Sequence, residues 1–218
     1  MKCLAIFDLD GTLVNSIYDL ADAVNTALAE RGYPVHSVDE YRFFVGNGAK
    51  KLCERALPEA RRSEEETVSL QGRFSEIYRK NCLVKTLPYD GIPELIDRLS
   101  DAGIKCAVAS NKPDEFSKEI VEALFGKGRF DLVVGKREGV PTKPAPQIVE
   151  HILGELGVPK EDSIFIGDSY VDVETAHNAG LPCIGCVWGF RGENELKAAG
   201  CDHIAYKPGD IFDILTAN

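Results

Sequence analysis

Read along the chain, hydrophobic positions change period twice. Leu4-Ala5-Ile6-Phe7 is a short continuous apolar run that stops at Asp8, the pattern of a buried strand opening into a loop. Residues 16–31 then repeat at helical spacing, with Ile17, Leu20, Ala21, Val24, Ala27 and Leu28 on one face. Ser16 with Asp19 has the spacing of a capping box, and Gly32 and Pro34 end the helix. From about 35 to 85 the signals stay helical and no strand pattern returns; the charge-dense stretch 58–69 is expected to be a solvated helix start or loop.

After Leu87-Pro88-Tyr89-Asp90-Gly91 the period alternates. A helix carrying Ile92, Leu95, Ile96 and Leu99 leads to an apolar strand at 104–109, and a helix at 115–125 leads to a strand at 132–134. A helix with Ile148, Val149, Ile152, Leu153 and Leu156 precedes the strand 163–166. The helix 171–179 follows, then strands near 182–187 and 202–205. Such alternation predicts an α/β fold, a doubly wound parallel (Rossmann-like) sheet covered on both faces. The expected organisation is a catalytic core from residues 1–14 and 85–218, with a helical cap domain, 15–84, inserted after the first strand.

Composition narrows the partners. The formal net charge of -10 disfavours nucleic acid and anionic membranes, and no apolar stretch approaches the roughly 18 residues of a membrane span. An anionic substrate would need a local positive feature. The seven cysteines, odd in number and spread through apolar contexts, read as reduced, buried thiols of a cytoplasmic protein. Cys183 and Cys186 spell C-x-x-C, but on a strand they point to opposite faces, so they are read as core. The four histidines have no metal-ligand spacing.

In an open parallel sheet, ligands bind beyond the carboxyl ends of the strands. Asp8 and Asp10 follow the first predicted strand, Ser110-Asn111-Lys112 the second, and Gly167-Asp168-Ser169 with Asp172 a later one; Lys143 lies in a proline-flanked loop. Carboxylates gathered in one crevice repel unless compensated. Lys143 supplies one positive charge, and all-oxygen ligation makes Mg2+ the natural second source. Asp8 and Asp10 fall on one side of an extended backbone, so one can attack while the other handles protons. Gly11 permits a sharp turn, and backbone N–H groups with the Ser110 hydroxyl could hold phosphoryl oxygens.

The run Phe7-Asp8-Leu9-Asp10-Gly11-Thr12-Leu13-Val14 resembles the first motif of the haloacid dehalogenase-like hydrolase superfamily. Ser110, Lys143 and Gly167-Asp168-Ser169-x-x-Asp172 match its other three motifs in order. The insert resembles the small mobile cap of the first subclass. The Val45–Ala49 loop and the Thr12-Leu13-Val14-x-Ser16 context are most similar to the phosphoglycolate phosphatase family.

The resemblance implies that Asp8 is the nucleophile and a metal ligand. Asp10 would be acid and base, with its backbone carbonyl on the metal. Ser110 and Lys143 would steady the phosphoryl group, Asp168 would bind Mg2+, and Asp172 would bind through water or orient a neighbour. Asn111, Gly46 and Asn47 are added as substrate-binding candidates. Asn15 stands where such phosphatases often carry Asp. The expected partner is a small phosphorylated metabolite, with 2-phosphoglycolate the best single choice, for a monomer or homodimer. The alternatives are a sugar phosphomutase of the β-phosphoglucomutase type and a phosphatase of other sugar or nucleotide monophosphates.

Overall fold

The computed structural model describes residues 2–217. The chain divides into two compact units, one of residues 1–14 with 88–218 and one of residues 15–87. In chain order, strand β1 (Leu4–Phe7) belongs to the first unit, and two-residue strands β2 (Val14–Asn15) and β3 (Leu87–Pro88) mark the two crossings. The larger unit continues with β4 (Lys105–Pro113), β5 (Leu132–Lys136), β6 (Ser163–Gly167), β7 (Cys183–Cys186) and β8 (His203–Ala205).

Six of these strands form one sheet in the order β5-β4-β1-β6-β7-β8, every neighbouring pair parallel. This is the expected α/β architecture with an inserted helical region. β1 is central, and the chain builds outward from it in two opposite directions. The carboxyl ends of β1, β4 and β6 therefore lie side by side at a topological switch point.

β1, β6 and β7 are buried at every position, which is why their sequences read as unbroken apolar runs rather than alternations. The sheet packs in one cluster with Ile148, Val149 and Ile152 of α7 (Gln147–Leu156) and with Val173 and Ala176 of α8 (Tyr170–Ala179). Elsewhere α5 (Ile92–Asp101) packs with α10 (Pro208–Thr216), while α6 (Asp114–Phe125) lies on β4 and β5. Helix α9 (Glu193–Ala198) follows β7. The periodicity does not predict α10, although Pro208 at its start is a standard signal.

The smaller unit holds α1 (Ile17–Ala29), α2 (Val38–Phe44), α3 (Ala49–Ala56) and α4 (Glu64–Asn81). Stretch 58–69 contains a short 3-10 turn and the start of α4, where Ser63 caps Glu66 N–H. The predicted Ser16–Asp19 capping box does not form. Asp19 instead accepts from Lys85 N–H, Thr86 N–H and the Thr86 hydroxyl at 2.7–3.0 Å, because these donors return to the first turn of α1 from the far end of the insert. None of the seven cysteines forms a disulfide. Five are buried, but Cys3 is exposed and Cys201 half-buried, so the all-buried reading fails at those two. Among the described residues no helix is long and apolar enough to cross a membrane.

Candidate active site

The end of β1 is shaped by backbone bonding before any side chain acts. Asp8 has left the strand, yet its N–H still reaches Ile166 O at 2.8 Å, which keeps it in register with β6. Leu9 O then gathers the N–H groups of Thr12, Leu13 and Val14, closing a tight turn. Gly11 sits at φ 94°, where other residues are strained, and a Cβ there would lie 2.5 Å from Asp168 Oδ2. The one tryptophan, Trp188, donates its indole N–H to Thr12 O at 3.1 Å.

Four sequence-predicted residues meet here. Lys143 Nζ lies 2.7 Å from both Asp8 Oδ1 and Asp172 Oδ1, and the lysine is buried. Asp172 turns its other oxygen to Ser169, accepting from both N–H and hydroxyl in a capping box that opens α8. One side chain thus starts a helix and fixes the lysine. Asp168 accepts from Phe190 N–H at 2.6 Å. Oxygens of Asp8, Asp168 and Asp172 lie within 4.8 Å of one another.

Electrostatics is the main feature of this cluster. Burial pushes the Asp8 carboxyl up to about 7, Lys143 opposing and Asp172 and Asp10 reinforcing the rise. Asp168 is raised well above the ordinary carboxylate range, first by burial and then by Asp172 and Asp8. For Lys143, burial works against the charge, but the Asp172 and Asp8 carboxylates outweigh it and hold the ammonium above its usual range. The Lys143 ammonium is shared by Asp8 and Asp172, and Asp168 lies beside them, so negative charge outweighs positive in the cluster. A hard divalent cation fits both that deficit and the all-oxygen donor set. Gly167 and Gly189 leave the room: a Cβ at either would strike Asp172 or Asp168 at 2.2 Å.

Residues 110–112 differ from expectation. The strand does not end at Ala109, where the apolar run stops, but continues to Pro113 with a register break between Ala109 and Pro113 against β5. Polar residues stay extended here because the site buries them. Ser110 is buried, its Oγ accepting from Lys112 N–H at 3.2 Å. Asn111 embraces the backbone of Lys143: its Oδ1 accepts from Lys143 N–H at 2.8 Å and its Nδ2 donates to Lys143 O at 3.1 Å.

Lys112 is the group that sequence reasoning passes over. Its buried ammonium lies 2.9 Å from Asp10 Oδ1. Its place two residues beyond Ser110, hence on the same side of an extended strand, is the available signal. Arg191, with a nearly buried side chain, also contributes positive charge near Asp168.

Gly46 and Asn47 belong to the other unit, in the loop between α2 and α3. There Asn47 Oδ1 accepts from Arg55 at 2.8 Å, and Arg55 also donates to Phe43 O and Phe44 O. Arg55 therefore braces its own loop. Lys50 and Lys51 pair with Glu64 and Glu54.

Comparison with known proteins agrees with this geometry. The sequence profile described as haloacid dehalogenase-like hydrolase matches residues 5–186. The phosphoglycolate phosphatase of Aquifex aeolicus (strain VF5) is 34% identical, covering 96% of this chain and 95% of the relative. The phosphoglycolate phosphatase of Mannheimia succiniciproducens is 36% identical, covering 96% of each. A crystal structure from Lactobacillus delbrueckii subsp. bulgaricus, described there as a candidate phosphoglycolate phosphatase, superposes with a TM-score of 0.94 at 32% identity over 100% of both chains.

Proposed function

Because the chain belongs to the haloacid dehalogenase-like hydrolase family, we propose that its phosphoric monoester hydrolase activity is directed at 2-phosphoglycolate and proceeds through a phosphorylated Asp8. The observation that carries this reading is the buried set of Asp8, Lys143, Asp172 and Asp168 at the carboxyl ends of β1 and β6, in which a carboxylate is held by an ammonium at 2.7 Å.

Lys143 fixes Asp8 Oδ1 and so orients the other carboxylate oxygen for attack on phosphorus. In the first displacement an Asp8 oxygen bonds to phosphorus while the bond from phosphorus to the ester oxygen breaks. Asp10 gives its proton to that leaving oxygen. In the second, Asp10 takes a proton from water, whose oxygen displaces Asp8 and releases phosphate. The Ser110 hydroxyl and Lys143 hold the transferring oxygens, and Asn111 keeps Lys143 in position through its backbone.

Mg2+ would be held by Asp8, Asp168 and the backbone carbonyl of Asp10, with Asp172 acting through Lys143 and Ser169 or through water. When bound, it would offset negative charge on the phosphoryl oxygens. Gly46 and Asn47 are assigned to substrate recognition, supported by the likeness of their loop to phosphoglycolate phosphatases and by the Arg55 brace.

The test is phosphate release over a panel of small esters, with 2-phosphoglycolate, hexose phosphates and nucleoside monophosphates side by side. Sugar products are followed for isomerisation. Fastest release from 2-phosphoglycolate, stopped by a chelator and restored by excess Mg2+, is the expected result. Isomerisation without phosphate release moves the assignment to a mutase, and undiminished turnover in chelator removes the metal from the scheme.

A further inference from the structure

Three consecutive polar residues precede Pro113 at the end of β4, and the hydrolysis steps use only the first two. The third, Lys112, has a side chain only 5% exposed, paired with an Asp10 side chain that is 13% exposed. An ion pair so enclosed is rarely more stabilising than an apolar pair of the same size, because desolvation consumes the attraction. Stability is therefore a poor reason for a lysine here.

Its position relative to the reacting bond suggests a use. Asp8 addresses phosphorus, and its cation is Lys143. Asp10 addresses the leaving oxygen, and its cation is Lys112. In the hydrolysis steps proposed above, the two buried ammonium groups would fall on either side of the scissile bond, one on the phosphoryl side and one on the leaving-group side. Lys143 is shared between Asp8 and Asp172, and Arg191 faces Glu195 and Asp168. Lys112 is the buried cation paired with Asp10, the group assigned to the ester oxygen. A carboxylate one carbon from that oxygen extends roughly 3–4 Å beyond it, about one residue's backbone length. The Lys112 ammonium lies 2.9 Å from Asp10 Oδ1, within that reach of a group bonded to Asp10.

Building on the phosphatase reading, we infer that Lys112 is a specificity residue that receives a second anionic group, a carboxylate next to the ester oxygen, on the leaving-group side of the substrate. Discrimination then resides partly in the strand end of the larger unit. Charge-assisted hydrogen bonds are about twice as strong as neutral ones, so a hydroxyl does not replace the carboxylate.

The experiment compares 2-phosphoglycolate with 2-hydroxyethyl phosphate, which keeps the skeleton and replaces the carboxylate by a hydroxymethyl group, under saturating Mg2+. For the wild type, kcat/KM favours the carboxylate ester by roughly tenfold or more. In Lys112→Met, which also strands Asp10 and so lowers turnover of both esters, that preference collapses: kcat/KM for 2-phosphoglycolate falls roughly tenfold further than kcat/KM for the neutral ester, the excess appearing as a raised KM. Lys112→Arg retains most of the preference.

Equal losses on both esters in Lys112→Met overturn the inference, since that is how a lysine serving Asp10 alone would behave. If that variant does not fold, the wild type decides: equal kcat/KM for the two esters also overturns it. A wild type that releases no phosphate from any ester is a separate result, which removes the phosphatase reading and this inference together.

Discussion

The strand ends of the sheet unit and the helical insert handle charge in opposite ways. At the strand ends of the unit built on the sheet, ionisable groups are buried and share partners: Lys143 serves Asp8 and Asp172, Lys112 serves Asp10, and Asp168 borders the same cluster. In the helical insert the ion pairs lie at the surface, as with Arg73 between Glu30 and Glu76, Lys50 with Glu64, and Lys85 with Asp22. The telling exception is Asp19, which is as buried as Asp168. Its partners are two backbone N–H groups and a hydroxyl, fixed donors that fully occupy a carboxylate. Asp8 is surrounded instead by other ionisable groups, and burial raises it to about 7. Burial alone does not distinguish these two carboxylates; the kind of partner does.

Four substitutions test that contrast. Asp8→Asn should have the largest effect, lowering phosphate release by roughly a thousandfold or more. Its thermal midpoint should hold or rise, since one charge leaves a cluster already short of cations. Lys143→Met should abolish turnover too, but it strands two buried carboxylates and should cost about 3–5 kcal/mol in urea unfolding near neutral pH. Because a raised carboxyl pKa means that the folded state binds more protons, part of that loss should return as pH falls from about 7 towards the ordinary carboxylate range.

Asp19→Ala should cost about 2–4 kcal/mol by leaving buried donors unsatisfied. The effect should appear first as faster hydrogen exchange at the Lys85 and Thr86 amides. Retained protection there would erase the distinction between the two kinds of buried carboxylate. Arg73→Ala should matter least, giving a midpoint shift smaller than that of Asp19→Ala which fades as salt is added.

Most of the larger unit is legible in advance because its strands are buried on both faces, and each apolar run ends where chemistry begins. Asp8, Asp168 and Asp172 are found by that rule. Lys112 escapes the same rule, since the apolar run of β4 stops at Ala109 while the backbone stays extended to Pro113. Asn111 reads as a substrate ligand because its neighbours do, and what its neighbours do not reveal is that its amide also fastens the Lys143 backbone. A local spacing rule misreads Asp19, because the donors that claim it lie more than sixty residues away in the chain. Long-range hydrogen bonds leave no periodic trace in a sequence.

The Asp19 contacts have one more implication. The polypeptide leaves the sheet unit at residue 15 and returns near residue 87, and a carboxylate in the first turn of the detour grips the amides just before its exit. The excursion fastens its own two ends, so the entropy of closing so long a loop is met from within. A segment built like this can be exchanged as a cartridge, varied or enlarged over evolutionary time, while the strand ends that do the chemistry keep their spacing.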